Sequence, residues 1–268
     1  MQPRRLYFVT GKGGVGKTVT SLALCLRLKQ LGKKVYYNSF DQEPNWAVLK
    51  ALDIPTKYFT VEESAEIYVG NKLGSRTIGG WVMKAPFFSA LYHMMPSLTS
   101  VILLGHIIKE NELESDATIV VDSPASGHAK VIFESTQNLR EMFGTGLIVE
   151  DIKKMQEFLT TPGNMRTLIC ALPGELPLEE GKELLDYLKK IGNKDTLLFL
   201  NDSLNAWCLD HPNGAKELPA ILEERIVYEK NLVNSFSKDI SATIPKISEL
   251  EQLNLIKSLA TKMEPLIS

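Results

Sequence analysis

One short run, Gly11-Lys12-Gly13-Gly14-Val15-Gly16-Lys17-Thr18, constrains this chain more than any other feature. Four glycines in so few residues cannot continue a strand or a helix, because their unrestricted backbone favours turns with positive φ. The run follows a short apolar stretch, Leu6 to Thr10. After it, Leu22, Cys25, Leu26 and Leu28 recur near helical spacing until Gly32 supplies a stop. Val35 to Ser39 is again apolar enough for a strand. A strand–glycine loop–helix–strand unit requires two parallel strands and a right-handed crossover.

The run satisfies G-x-x-x-x-G-K-[ST] in full. Its glycines let successive N–H groups converge on anionic oxygens, and the helix N-terminus adds a favourable field. Gly11, Lys12, Gly13, Gly14, Val15, Gly16, Lys17 and Thr18 are thus candidate nucleotide-binding residues. Lys17 is expected to reach the β- and γ-phosphates of ATP, and the Thr18 hydroxyl to ligate Mg²⁺. The alternative is a glycine-rich turn with no ligand.

The rest of the chain repeats the same alternation. Thr118–Val121, Thr167–Leu172 and Thr196–Leu200 read as buried strands, and Ile240–Ile244 as a weaker one. A helical pattern runs from Leu178 to Ile191. The fold class expected is α/β, a mainly parallel sheet sandwiched by helices. Residues at about 55–115 and 130–163 fit the alternation poorly and read as small helical insertions over the binding edge of a single domain spanning 1–268.

Several segments carry a family resemblance. Lys12, in K-G-G-V-G-K-T, resembles the deviant Walker A signature of dimeric ATPases. Asp122-Ser123-Pro124-Ala125-Ser126-Gly127-His128 is similar to the D-T-A-P-T-G-H switch of the arsenical-pump and tail-anchored-protein-targeting ATPases. Leu172-Pro173-Gly174-Glu175-Leu176-Pro177-Leu178-Glu179-Glu180 resembles that family's L-P-E-E-L-P-L-E-E stretch.

The resemblance implies a homodimer in which Lys12 reaches the partner copy's phosphates, as an arginine finger would. A solvated loop lysine is the alternative. It implies that Asp122 helps hold Mg²⁺, whereas a capping role would suit Asp122 or Ser123 equally. Asp41, where the family reads D-P-A-H-S, would position the attacking water, but the sequence runs Asp41-Gln42-Glu43-Pro44-Asn45-Trp46 and lacks the histidine. A turn aspartate is the rival reading. Asn201 would read the adenine edge, with Pro245 and Ile247 in the adenine-pocket loop. Val19 replaces a common hydroxyl residue and keeps only a backbone contact. The catalytic candidates are Lys12, Lys17 and Asp41.

Composition narrows the setting. A net charge of -2 offers no basic field for nucleic acid. Cys25, Cys170 and Cys208 form no C-x-x-C pair, which argues against a zinc knuckle or disulfide scaffold and for a reducing, cytoplasmic setting. The most apolar stretch, Phe87 to Ile108, is interrupted by His93, Pro96 and His106, so no integral membrane segment is expected. Two other readings compete: a septum-positioning or chromosome-partitioning ATPase, and an ATP-binding scaffold with little hydrolysis. The first would need a membrane-binding amphipathic tail or a basic DNA-binding face, and Leu253–Met263 is amphipathic with only two lysines on its polar side. The resemblance implies a protein client without identifying it.

Overall fold

The computed structural model describes residues 4–75, 77, 96–124, 129–136, 145–212 and 218–268. Its frame is a parallel sheet of β1 (Leu6–Gly11), β2 (Val35–Asn38), β3 (Thr118–Asp122), β4 (Met165–Ala171), β5 (Thr196–Ser203) and β6 (Ile240–Pro245). The strand order is β2-β3-β1-β4-β5-β6, and every described pair is parallel. Each expected strand is present, with its ends moved by a residue or a few. Strands covered on both faces are apolar at nearly every position, and β1, β3 and β4 are buried throughout.

Alternation along β1 divides the core. Leu6 and Phe8 enter one apolar cluster, while Tyr7 and Val9 enter the other on the opposite face. The second cluster holds α1 (Lys17–Gln30), α2 (Trp46–Leu52) and the chain's last helices. The first holds the crossover helices that follow β2, β3 and β4.

The described parts of the two irregular stretches belong to that first layer. In 55–115, α3 (Val61–Leu73) packs on α4 (Pro96–Leu113). Helix α4 buries Leu103, Leu104 and Ile107 completely and serves as the β2–β3 crossover. In 130–163, α5 (Leu147–Thr160) buries Ile152, Met155, Phe158 and Leu159 in the same cluster. Helices α4 and α5 therefore join the apolar layer on one face of the sheet, with α3 packed against α4. Helix α4 lacks a clean period because α3 and the sheet sandwich it, leaving little solvent face to mark with polar residues. Residues 76, 78–95 and 137–144 of these stretches lie outside the described residues.

Further along run α6 (Glu175–Lys190), α7 (Leu204–Asp210), α8 (Ala220–Ser235), α9 (Gln252–Ala260) and α10 (Glu264–Ile267). Helix α9 packs on α1, with Ile256, Leu259 and Ala260 buried. Its apolar face is thus occupied by the protein itself. Across the first cluster, Phe8 meets Phe40 edge-on at 6.4 Å and Phe133 at 5.6 Å. None of the described helices is long and apolar enough to cross a membrane.

Candidate functional site

Because all strands run the same way, their carboxyl ends share one edge, where open α/β sheets bind ligands. The glycine loop leaves β1 there, the turn with Asp41 follows β2, and Asp122 closes β3. Asn201 and Asp202 end β5, and Pro245 ends β6. Every sequence-derived candidate therefore sits on the same edge. Of the Asp122–His128 segment, Ala125–His128 lie outside the described residues.

The loop's backbone explains its glycines. Gly11 has φ 148°, and a Cβ there would lie 2.2 Å from the Cys170 carbonyl oxygen on β4. Gly11→Ala is accordingly expected to cost about 3 kcal/mol and lower the melting temperature by about 6 °C or more. A thermal scan indistinguishable from the parent would refute that close approach. Gly14 and Gly16 adopt φ 81° and 93°, and Gly16 caps α1. A Cβ on Gly13 or Gly14 would meet nothing within 4 Å, so this side of the loop opens onto free space. Among the described residues, the N–H groups of Gly13, Gly14, Val15 and Gly16 have no protein acceptor. Unclaimed amides in an exposed glycine loop are the raw material of an anion nest.

Lys17 bends back onto the loop and donates to the Lys12 carbonyl at 3.0 Å. Partial burial pulls its pKa below the ordinary lysine value, and the nearby Asp122 charge opposes that shift. Val19 is half-buried against the apolar cluster. Lys12 points elsewhere: its ammonium pairs with Glu180 of α6 in the same chain at 2.8 Å. Both side chains are substantially exposed, and such a pair is worth little.

Asp122 is the buried charge of the site, 8% exposed. Its Oδ2 accepts from the Tyr37 hydroxyl at 2.9 Å. Burial raises its pKa; the Thr18 and Tyr37 hydroxyls and the Lys17 charge pull the other way. The Oδ1 atom has no hydrogen bond of good geometry and no solvent. Such an orphan oxygen must find a partner. Beside the Thr18 hydroxyl and the open nest, it fits a hydrated Mg²⁺ bound together with a polyphosphate. Among the described residues, no three His, Cys, Asp or Glu side chains gather to hold a metal alone. Most ligands to such an ion would therefore come from phosphate and water.

Asp41 lies in a tight turn in which the Gln42 N–H donates to the Ser39 carbonyl at 3.1 Å. Phe40, just before it, is buried yet left-handed at φ 57°, an arrangement costing roughly 1–3 kcal/mol. The Phe40 N–H is met by Asn38 Oδ1 at 2.9 Å. The Asp41 carboxylate is exposed, and among the described residues it has no hydrogen-bond or ion-pair partner. Asn45 caps α2 by accepting from the Val48 N–H at 3.2 Å.

Asn201 has a task beyond the one expected of it. Its Nδ2 donates to the Val15 carbonyl at 2.9 Å, which leaves Oδ1 and the second amide hydrogen as the groups able to meet a base. The neighbouring Asp202, at φ 58°, pairs with Lys246 at 3.2 Å. That ties the Pro245–Ile247 loop to β5, and Ile247 packs on the second apolar cluster. Glu229, fully buried on α8, accepts from the Ser203 hydroxyl at 3.0 Å and the Asn205 N–H at 2.9 Å, fixing the exit of β5.

Three contributors were not legible as site residues: Tyr37, Glu229 and Cys170, whose thiol donates to the Val15 carbonyl at 3.1 Å. The strand pattern could have flagged Tyr37, since position 37 shares its face with Val35. All three cysteines are free; Cys25 and Cys170 are buried and Cys208 is half-buried on α7.

Comparison with known proteins agrees with this geometry. Residues 6–263 match the family described as the CobQ/CobB/MinD/ParA nucleotide binding domain. The chain is 25% identical over 217 residues to the ATPase BagA of Mycobacterium tuberculosis, covering 70% of this chain and 63% of that protein. It therefore spans less than two thirds of that relative's length. It is 27% identical over 236 residues to the arsenical pump-driving ATPase of Escherichia coli, covering 76% and 40% of the two chains. With the ATPase asna-1 of Caenorhabditis elegans it shares 23% identity over 256 residues, covering 74% of each.

Proposed function

The chain belongs to the CobQ/CobB/MinD/ParA nucleotide-binding domain family, and on that premise we propose that it is a Mg-ATP-dependent ATPase acting as a homodimeric switch. The observation that carries this is the open nest at Gly13 and Gly14, with unclaimed amides, Lys17 above it and an orphan Asp122 oxygen beside it.

In this reading the loop amides and Lys17 hold the triphosphate, with Lys17 leaving the Lys12 carbonyl for the β- and γ-oxygens. Thr18 and Asp122 would hold Mg²⁺, which supplies neutralising charge on the phosphates when bound. Asp41, without a partner among the described residues, orients the attacking water. Lys12 leaves Glu180 and crosses to the second copy, where its charge stabilises the transferring phosphoryl group. The Asn201 Oδ1 and the Pro245–Ile247 loop meet the base. Closure around ATP and reopening after hydrolysis would alternately expose and withdraw a surface for a client protein. A cytoplasmic setting is consistent with this.

A second reading, an ATP-binding scaffold that hardly hydrolyses, is favoured by one observation: among the described residues, none bonds to or pairs with the Asp41 carboxylate. Turnover measured beside affinity separates the two. A septum-positioning role is less well supported, because the apolar face of α9 is already covered by α1.

The test of the metal assignment is Asp122→Asn. It is expected to keep ATP affinity within several-fold, require 10–100 times more Mg²⁺ and hydrolyse at least about tenfold more slowly. A parental rate at low Mg²⁺ would return Asp122 to a capping role. Light scattering should show a dimer with Mg-ATP; a monomer at all nucleotide concentrations would remove the dimeric switch.

A further inference from the structure

The Val15 carbonyl accepts two donors from two different strands, the Asn201 amide at 2.9 Å from β5 and the Cys170 thiol at 3.1 Å from β4. Val15 lies between two left-handed residues, Gly14 and Gly16, and its own side chain is buried. A trans peptide is planar, with its C=O and the following N–H pointing in opposite directions. Drawing the Val15 oxygen toward β4 and β5 therefore turns the Gly16 N–H away from those strands. That N–H has no acceptor among the described residues. A Cβ at Gly16 would sit 2.7 Å from Asn201 Nδ2, so only glycine leaves room for this amide to approach.

We propose that Cys170 and Asn201 are positioning residues that lock the Val15–Gly16 peptide, aiming the Gly16 N–H at a bound polyphosphate before it arrives. This rests on the phosphate-binding reading of the loop. Cys170 is 2% exposed, so it acts on a ligand only through Val15. Without the two donors the peptide can flip, and its carbonyl would then face the anion. Preorganised amides of this kind need no rearrangement when charge arrives. The same inference gives Asn201 a role independent of any base.

A ligand without a base separates the possibilities. Calorimetry with ATP and with inorganic tripolyphosphate, each with Mg²⁺, would compare the parent with Cys170→Ala, Cys170→Ser and Asn201→Ala. Cys170→Ala is expected to weaken both ligands about fivefold, the worth of one hydrogen bond. Cys170→Ser should recover binding to within about twofold, because its hydroxyl can still donate. A packing role predicts the reverse order, since a hydroxyl suits an apolar cluster less well than a methyl does. Asn201→Ala should weaken tripolyphosphate about fivefold as well. Equal losses in the Ser and Ala variants of Cys170, or parental tripolyphosphate binding in Asn201→Ala, would overturn the proposal. If Cys170→Ala does not fold, the Asn201→Ala result with tripolyphosphate decides alone. A parent that binds neither ligand would instead remove the phosphate-binding reading, and this inference with it.

Discussion

Lys17→Ala is expected to weaken Mg-ATP binding by roughly 100-fold or more. A charge-assisted contact to phosphate is worth about 1.5–3 kcal/mol, and Lys17 would make more than one. Its ammonium already bends over the nest and rests on the Lys12 carbonyl, a neutral acceptor that phosphate oxygens easily replace. Lys17 is also one of the groups that favour the ionised form of the buried Asp122 carboxylate. Removing it leaves Asp122 less compensated, so some loss of thermal stability is expected too. The measurement must therefore pair calorimetry with a melting curve. Unchanged affinity in a folded Lys17→Ala protein would end the nucleotide assignment.

Lys12→Ala should behave in the opposite way, keeping most of the ATP affinity and losing hydrolysis. Contacts of the arginine-finger type contribute about 10³–10⁵ in rate, so even a partial effect would be plain. Folding should hardly change, because the Glu180 pair being lost is exposed and worth at most about 1 kcal/mol. Mixing gives the sharper result. Each site of the proposed dimer takes Lys17 from its own chain and Lys12 from the other. A heterodimer of Lys12→Ala with Lys17→Ala therefore collects both losses in one site and leaves the other whole. Activity regained on mixing two nearly inactive variants is the expected outcome. Parental turnover in Lys12→Ala alone would take Lys12 out of the reaction and leave it as the exposed partner of Glu180.

What the sequence made legible follows from the range of the forces involved. The glycine loop could be recognised because its motif is a contiguous run, although the distant Cys170 and Asn201 that pack against it could not. The strands could be read because burial on both faces leaves continuous apolar runs such as Leu6–Val9 and Thr118–Val121. Helix α4 could not be placed because, packed between α3 and the sheet, it carries no polar stripe. The site partners were hidden for a different reason. Tyr37 and Asp122 are 85 positions apart, Cys170 and Val15 are 155 apart, and Lys12 and Glu180 are 168 apart. No pattern in one sequence says which of many tyrosines, cysteines or glutamates will close such a distance. Asn201 was named through the family resemblance, and its bond to the loop emerged only with the fold.

The three rings of Phe40, Phe8 and Phe133 have a mechanical consequence. Phe8 belongs to a central strand, which is held by neighbours on both sides and acts as a fixed axle. Phe40 precedes Asp41 in its turn, and Phe133 lies in the helical stretch 129–136; both rings pack edge-on against Phe8. Rings packed edge-on in a dense core shift between discrete seats and do not slide smoothly. A change in the left-handed turn at Phe40 would therefore have to break or reseat its edge-on contact with Phe8, the ring that also holds Phe133.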